Sequence, residues 1–283
     1  MTQAEASPEV TPEEGHLSGG IYYRHWHAVG EPRAVILMVH GLGEHSGRYQ
    51  GFADFFCPRG YAVVAPDHVG HGQSPGHRVY VERFADFLEP LEELRQRIGE
   101  WYPQVPCVLV GHSMGGLIVA RYLLDHQQDF MAAALSGAAL GVDPKPAAPL
   151  LWINALLSRL FPKMGLMQLD ATEVCRDPEV VRRYIEDPLV HDGKVTARLV
   201  SELFSTMAEV EARRPEITLP IMVMHGEGDV MTSPSGSLNF VEGVASGDKT
   251  LRLYPGLFHE IFNEPERLEV LGELESWLSP RVS

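Results

Sequence analysis

The sequence predicts an α/β fold: a mostly parallel central sheet covered by helices on both faces, with a helical cap inserted into it. Three observations support this prediction. Short apolar runs such as AVILMV at residues 34–39 lack polar alternation, which is typical of parallel strands buried on both faces. Segments of helical periodicity separate these runs, as the crossovers of a parallel sheet require. From Asp143 to about Glu216 no strand is convincing, which interrupts the alternation.

The core elements follow one another in regular order along the chain. Strands are predicted at residues 21–27, 34–39, 61–65, 107–110, within 131–140, at 221–224 and at 250–254. Helices are predicted where apolar side chains recur at helical spacing, around residues 49–59, 84–98, 117–124 and 266–278. Pro90 leaves the start of the second helix open, because proline disfavours a helix interior.

The interruption divides the chain into a core, residues 17–142 and 217–283, and a cap, residues 143–216. Residues 149–161 of the cap, PLLWINALLSRLF, are apolar on nearly every side. This suits a helix between a substrate pocket and an interface, although an ordinary core helix is the alternative. Residues 1–16 carry four glutamates and no lysine or arginine, so we expect a disordered acidic tail there.

The composition argues against several functional classes. A net charge of −15 disfavours nucleic-acid binding and electrostatic docking on anionic lipid. Three cysteines, an odd number without metal-ligand spacing, disfavour a disulfide framework. No apolar run approaches the roughly 20 residues that a transmembrane segment needs, and the N-terminal residues lack the apolar segment of a secretory signal. We therefore expect a cytoplasmic protein.

The strongest functional signal is a serine at the turn between a buried strand and a helix. The sequence Gly111-His112-Ser113-Met114-Gly115 follows the strand predicted at residues 107–110. Its glycines permit a tight turn and a close approach of helix to strand. The helix directs its unpaired N–H groups and its positive dipole end at the same place. Ser113 is therefore predicted to be a nucleophile, with a simple Gly/Ser turn as the alternative.

A serine hydroxyl needs a base and a group that orients the base. On a doubly wound sheet these groups lie on loops that follow strands, in the chain order serine, acid, histidine. Asp229 follows the strand at 221–224 and His259 follows the strand at 250–254, so they are predicted as the acid and the base. Glu227 is the alternative acid. His259 also begins a partial zinc-protease motif, but the second histidine is missing, so no metal is expected.

An acyl-transfer intermediate carries an oxyanion that two preorganised donors must stabilise. One is expected to be the backbone N–H of Met114, directly after the nucleophile. The other should come from the loop His40-Gly41-Leu42-Gly43, whose glycines let the backbone approach the substrate. We predict the Leu42 N–H as this second donor. A plain turn after the strand is the alternative.

These motifs together resemble the monoacylglycerol lipase and lysophospholipase branch of the α/β-hydrolases. The resemblance rests on HGLGEHSGRY at 40–49, DHVGHGQS at 67–74, GHSMGG at 111–116, the GEGD turn at 226–229 and FHEIFNEPER at 258–267. It implies an α/β-hydrolase fold and the triad Ser113, Asp229 and His259. It also implies a cap that forms a tunnel for one fatty acyl chain.

The same resemblance implies a polar pocket for the glycerol end of the substrate. In the family, the residues that match Glu44 and Arg48 help to shape this pocket, and a cap tyrosine that matches Tyr184 lies nearby. Glu44 and Arg48 are four residues apart, so they can pair on one helix face. A structural ion pair that braces the loop is therefore the alternative.

The sequence thus predicts a serine hydrolase for esters with one acyl chain, most simply monoacylglycerol, that works through an acyl-enzyme without a cofactor. Its partners would be a lipid or small ester substrate and, transiently through the cap, lipid surfaces. A lysophospholipase, a broad carboxylesterase and a transacylase would use the same residues. A non-catalytic binding protein of this fold is a further alternative, which the complete triad disfavours.

Overall fold

The computed structural model describes residues 10–143 and 147–282. The central sheet and the cap contain strands β1 Glu13–His16, β2 Tyr22–Trp26, β3 Ala34–Val39, β4 Tyr61–Pro66, β5 Cys107–His112, β6 Ala132–Ser136, β7 Gly165–Met167, β8 Val195–Thr196, β9 Ile221–Gly226 and β10 Lys249–Tyr254. The helices are α1 Gln50–Phe56, α2 Ala85–Trp101, α3 Met114–His126, α4 Ala148–Leu160, α5 Pro178–Glu186, α6 Ala197–Arg213, α7 Pro234–Gly243 and α8 Arg267–Leu278.

Eight strands form the central sheet in the order β1-β2-β4-β3-β5-β6-β9-β10. The pairs from β4 to β10 are parallel, whereas β1–β2 and β2–β4 are antiparallel. The prediction of a mostly parallel sheet is therefore confirmed. The carboxyl ends of the parallel strands meet at one edge, where ligands bind in open α/β sheets.

Helices cover both faces of this sheet, because alternate residues of each buried strand point in opposite directions. Leu37 of β3 packs into a cluster with side chains of α2, α3 and α7, and its neighbour Ile36 packs into a second cluster with α1 and α8. Both side chains are fully buried. Two-sided burial explains why the apolar runs of these strands show no polar alternation.

The N-terminal segment differs from its prediction. Residues 13–16, assigned to a disordered tail, form β1 and pair with β2 in antiparallel register from Glu13–His25 to His16–Tyr22. Backbone pairing at a sheet edge needs no apolar side chains, so acidic composition did not exclude a strand. Residues 1–9 of the predicted tail lie outside the described residues.

The segment between β6 and β9 contains α4, α5, α6 and the antiparallel pair β7–β8. Helix α4 contacts α6, but most of its large apolar side chains are exposed, which argues against an ordinary core helix. These exposed residues are Leu150, Leu151, Trp152, Ile153, Leu156 and Leu160. The boundaries of the cap stay a prediction, and residues 144–146 lie outside the described chain. None of the described helices is both long enough and apolar enough to span a membrane.

Candidate active site

Ser113 occupies the turn between β5 and α3, as predicted. Its backbone is left-handed, with φ 54° and ψ −120°, a conformation that is strained for a residue with a side chain. The flanking glycines are needed for close packing. A Cβ on Gly115 would lie 2.0 Å from the carbonyl oxygen of Val39, and one on Gly111 would lie 2.4 Å from the carbonyl oxygen of Gly115. The sequence therefore dictates a sharp turn that lifts Ser113 above the sheet.

Asp229 and His259, which follow β9 and β10, are brought together. His259 Nδ1 lies 2.7 Å from Asp229 Oδ2, and both side chains are buried. The other carboxylate oxygen, Oδ1, accepts the backbone N–H groups of Met231 at 2.8 Å and Thr232 at 3.0 Å. These bonds fix the carboxylate, so His259 is held with Nε2 directed away from the acid.

The electrostatics of this pair favour an ionised acid. Burial opposes the charged form, but hydrogen bonds from His225 and His259 hold the pKa of Asp229 well below its ordinary value. Burial likewise opposes charge on His259, yet the hydrogen bond and charge of Asp229 raise its pKa above the ordinary value. The imidazole is therefore a stronger base than a free histidine.

Ser113 and His259 line one small cavity with Gly41, Leu42, Glu44, His112, Leu169, Val174, Tyr184, Met231 and Glu260. Its volume of about 20 Å³ is room for roughly one water molecule. Among the described residues Ser113 Oγ has no hydrogen bond to His259, which is common in triads before substrate binds. Leu169, Val174 and Tyr184 come from the segment between β6 and β9, so this segment lies over Ser113 and narrows the cavity.

The predicted oxyanion donors flank this serine. Met114 is the first residue of α3, and Leu42 lies in the loop after β3 and lines the same cavity as Ser113. Within the described parts of the chain, neither backbone N–H donates to another group. The neighbouring Gly41 approaches closely, since a Cβ there would lie 3.1 Å from the Cβ of Ser113. Two unused donors therefore lie beside the serine.

Glu44 and Arg48 form the predicted ion pair, with Arg48 Nη1 2.8 Å from Glu44 Oε2. Glu44 Oε1 also accepts the Gly41 N–H at 2.6 Å and the Tyr49 hydroxyl at 2.7 Å. Arg48 makes a second, two-pronged pair with Glu260, at 2.5 and 2.8 Å. All of these groups are largely buried, so the pair forms part of a network that is hydrogen-bonded to the loop after β3 at Gly41.

Tyr184 of α5 connects the cap to this network. Its ring lies under the Arg48 guanidinium, 4.5 Å from ring centre to guanidinium carbon. Two further contacts join the cap to the same loop, as His45 Nε2 lies 2.9 Å from Asp187 Oδ2 and the His191 N–H donates to the Gly43 carbonyl at 2.8 Å. The three predicted pocket residues, Glu44, Arg48 and Tyr184, are therefore brought together.

Sequence reasoning missed Glu260 and His225. Glu260 is 212 positions from its partner Arg48, so no local spacing connects them. His225 Nε2 lies 3.1 Å from Asp229 Oδ2, and its Nδ1 lies 2.7 Å from the Ser237 hydroxyl. A histidine directly after the strand predicted at 221–224 and four residues before the acid was a usable signal. The alternative acid, Glu227, has an exposed side chain and does not line the cavity.

Comparisons with known proteins agree with this geometry. The sequence pattern of the family described as serine aminopeptidase S33 matches residues 30–266. Monoacylglycerol lipase of Mycolicibacterium smegmatis is 38% identical over 258 residues, which cover 91% of this chain and 92% of that protein. Monoglyceride lipase of Homo sapiens is 31% identical over 292 residues, covering 99% and 96%.

Solved structures place the chain in the same group. The crystal structure of Paleococcus ferrophilus monoacylglycerol lipase superposes with a TM-score of 0.84 at 32% identity, covering 92% of this chain and 99% of that one. The resemblance inferred from the motifs is thereby confirmed. The chain belongs to the serine aminopeptidase S33 family of α/β-hydrolases, within its monoacylglycerol lipase branch.

Proposed function

We propose that the chain hydrolyses carboxylic esters with a single acyl chain, most simply monoacylglycerol to glycerol and fatty acid. The observation that supports this most is the Asp229–His259 pair at 2.7 Å, beside a serine held in a left-handed turn under an apolar cap. Relatives named as monoacylglycerol or monoglyceride lipases cover more than 90% of the chain.

In the proposed reaction His259 Nε2 takes the hydroxyl proton of Ser113 while the serine oxygen attacks the ester carbonyl. The backbone N–H groups of Leu42 and Met114 hold the oxyanion that forms. Collapse breaks the ester bond, and His259 returns the proton to the leaving glycerol oxygen. Water then hydrolyses the acyl-enzyme by the same route. Asp229 keeps the imidazole in the required tautomer and stabilises its charged form.

The charge beside Ser113 favours a neutral head group over a phosphate. Burial opposes ionisation of Glu260, but Arg48 lowers its pKa to about 2, so this carboxylate is charged at neutral pH. Glu44 and Glu260 together outweigh the single positive charge of Arg48. A lysophospholipid phosphate in this space would meet an excess negative charge, whereas glycerol hydroxyls would not. This observation favours monoacylglycerol among the single-chain esters.

A substrate panel tests the proposal. We expect the highest kcat/KM on monoacylglycerol, with lower values on a lysophospholipid and on a short nitrophenyl ester. Higher activity on the lysophospholipid would contradict the head-group assignment, and preference for an aminoacyl nitroanilide would make the chain a peptidase. If new ester forms faster than fatty acid is released when glycerol is added, the chain is a transacylase.

We further propose that α4 contacts the lipid surface from which substrate is drawn. Its exposed apolar residues form a continuous part of the cap, with Trp152 67% and Leu160 62% exposed. Exposed apolar patches of this kind typically mark interaction sites. Since the net charge is −15, attraction would depend on apolar burial and not on anionic lipid. A cytoplasmic location stays a prediction.

A further inference from the structure

A second cluster of potential ligand groups lies where β1 and β2 pair at one side of the sheet, away from Ser113. His25 lies on β2 and His27 follows directly after its last residue, Trp26, and the rings of the two histidines lie 4.0 Å apart. Glu13 on β1 stands directly opposite His25 in the antiparallel register. Each of the three residues offers one ligand atom, and these atoms all lie within 4.8 Å of one another. The β1–β2 pairing and the residue directly after β2 therefore bring together one carboxylate and two imidazoles.

Neighbouring side chains hold this cluster in place. His27 Nε2 lies 3.0 Å from Glu13 Oε2. The ring of His25 stacks on Trp101, with ring centres 5.0 Å apart and planes within 13°, and lies 4.0 Å from the ring of His27. The Tyr102 hydroxyl bridges the two imidazoles, 2.6 Å from His25 Nε2 and 3.2 Å from His27 Nδ1. His25 is buried, whereas the side chains of His27 and Glu13 are more than half exposed, so an ion can approach from solvent.

The charges of the cluster suit a cation. Within residues 10–143 and 147–282, the one ion-pair partner of Glu13 is His27. No arginine or lysine in those parts of the chain neutralises this carboxylate.

In a comparable group elsewhere in the chain, an arginine does pair with the carboxylates. Glu92, His126 and Asp129 also bring ligand atoms within 4.8 Å of one another. However, Arg95 lies 2.8 Å from Glu92 and 3.6 Å from Asp129. This guanidinium already pairs with both carboxylates and would repel a metal ion. This group therefore serves as the matched control.

We propose that Glu13, His25 and His27 form a binding site for a divalent transition-metal ion, with Zn²⁺ as the probe. Imidazole nitrogen and carboxylate oxygen are ordinary zinc ligands, with bonds of about 2.0–2.2 Å that place tetrahedral ligands roughly 3.3 Å apart. The exposed Glu13 and His27 side chains can close to that spacing, with Tyr102 giving up its hydrogen bond to the nitrogen that the metal takes. Water completes the coordination.

The position of the site indicates a structural role. In the β2–β4 register Tyr23 pairs with Pro66, at the carboxyl end of β4, whereas Trp26 pairs with Val63. His25 and His27 thus lie toward the amino-terminal ends of the parallel strands, whereas the turn that holds Ser113 lies at their carboxyl ends. A metal there would join β1 to β2 and fasten the N-terminal strand to the sheet. Hydrolysis of a soluble ester should not depend on it.

Titration calorimetry of the full chain, treated with EDTA and then exchanged into chelator-free buffer, tests the proposal with ZnCl₂. We expect one Zn²⁺ per chain, and Glu13→Gln and His27→Ala should each weaken the Kd by roughly tenfold or more. His126→Ala should leave the Kd unchanged. Unaltered activity on a soluble nitrophenyl ester verifies that each variant is folded, since neither exposed side chain belongs to the active site.

A second readout uses Trp101, which stacks on His25. Cu²⁺, which favours the same ligands, should quench part of the tryptophan fluorescence of the native chain, and this part should disappear in Trp101→Phe and in His27→Ala. The proposal is overturned if no Zn²⁺ binds, if Glu13→Gln and His27→Ala bind it as tightly as the native chain, or if His126→Ala abolishes the binding.

Discussion

Asp229 holds two imidazoles, a hydroxyl and two backbone N–H groups around one carboxylate. Asp229→Asn should lower kcat by roughly 10⁴ with the fold intact, because an amide favours the wrong tautomer of His259. Glu227→Gln is the matched control, since Glu227 lies two residues before Asp229, is exposed and does not line the cavity that holds His259. Near-full activity of Asp229→Asn together with loss in Glu227→Gln would show that the acid is wrongly assigned. Steady-state kinetics and circular dichroism measure both effects.

The pH dependence of the reaction follows from the raised pKa of His259. A base must be neutral, so kcat/KM should fall as the pH drops through this pKa, at a value above the ordinary 6.5 or so. Removing the negative charge in Asp229→Asn should shift the remaining acid limb to lower pH. A native rate that stays flat down to about pH 4 would exclude His259 as the base. The pH profile on a soluble ester measures the limb without interference from lipid ionisation.

Glu44 tests whether the buried ion pair also recognises glycerol. A carboxylate has about four acceptor positions, and donors from Gly41, Arg48 and Tyr49 occupy three. Glu44→Gln should lower kcat/KM on monoacylglycerol by a factor that corresponds to a loss of about 1–3 kcal/mol of transition-state stabilisation. The effect on a nitrophenyl ester of the same acid should be smaller. Tyr184→Phe should act in the same direction but more weakly. If the ratio of the two substrates stays at its native value while both rates fall, the pair is structural.

At the scale of elements, the segment between β6 and β9 lines the cavity at Ser113 and presents the exposed apolar side chains of α4. If α4 meets a lipid surface, Leu156→Ser should slow hydrolysis of dispersed long-chain monoacylglycerol but change turnover of a soluble butyrate ester little. The reason is lost apolar contact, worth up to about 1.5–3 kcal/mol for a fully buried leucine. Leu268→Ser is the matched control, because this leucine of α8 is 63% exposed but lies outside the cap. Equal losses on both substrates with a lowered Tm would support a purely structural helix.

Sequence reasoning was most successful for elements whose local pattern determines their environment. The strand at Ala34–Val39 was predicted with its observed bounds, because all six residues are buried on both faces. It was least successful where pairing depends on distant residues. β1 is polar and forms only because β2 offers an unpaired edge, and Glu260 reaches Arg48 across the fold.

At the scale of the whole molecule, four connections converge because all of them follow parallel strands: the turn at Ser113 after β5, the loop after β3 and the loops after β9 and β10. This topology made the order serine, acid, histidine predictable from strand positions alone. The contribution of Leu169 and Val174 to the cavity was not predictable, since these side chains carry no motif. The sequence therefore predicts the loop positions of serine, acid and histidine, but not the side chains that line the cavity around them.

The central claim is that Ser113 performs ester hydrolysis as a covalent nucleophile. Fluorophosphonate labelling followed by peptide mass spectrometry, with monoacylglycerol hydrolysis measured in the same samples, tests it most directly. We predict one label per chain, on Ser113, with hydrolysis lost in proportion to labelling, and no label in a folded Ser113→Ala variant, whose kcat should fall by several decades. Hydrolysis that persists after complete labelling, or a label on another residue, would contradict the claim.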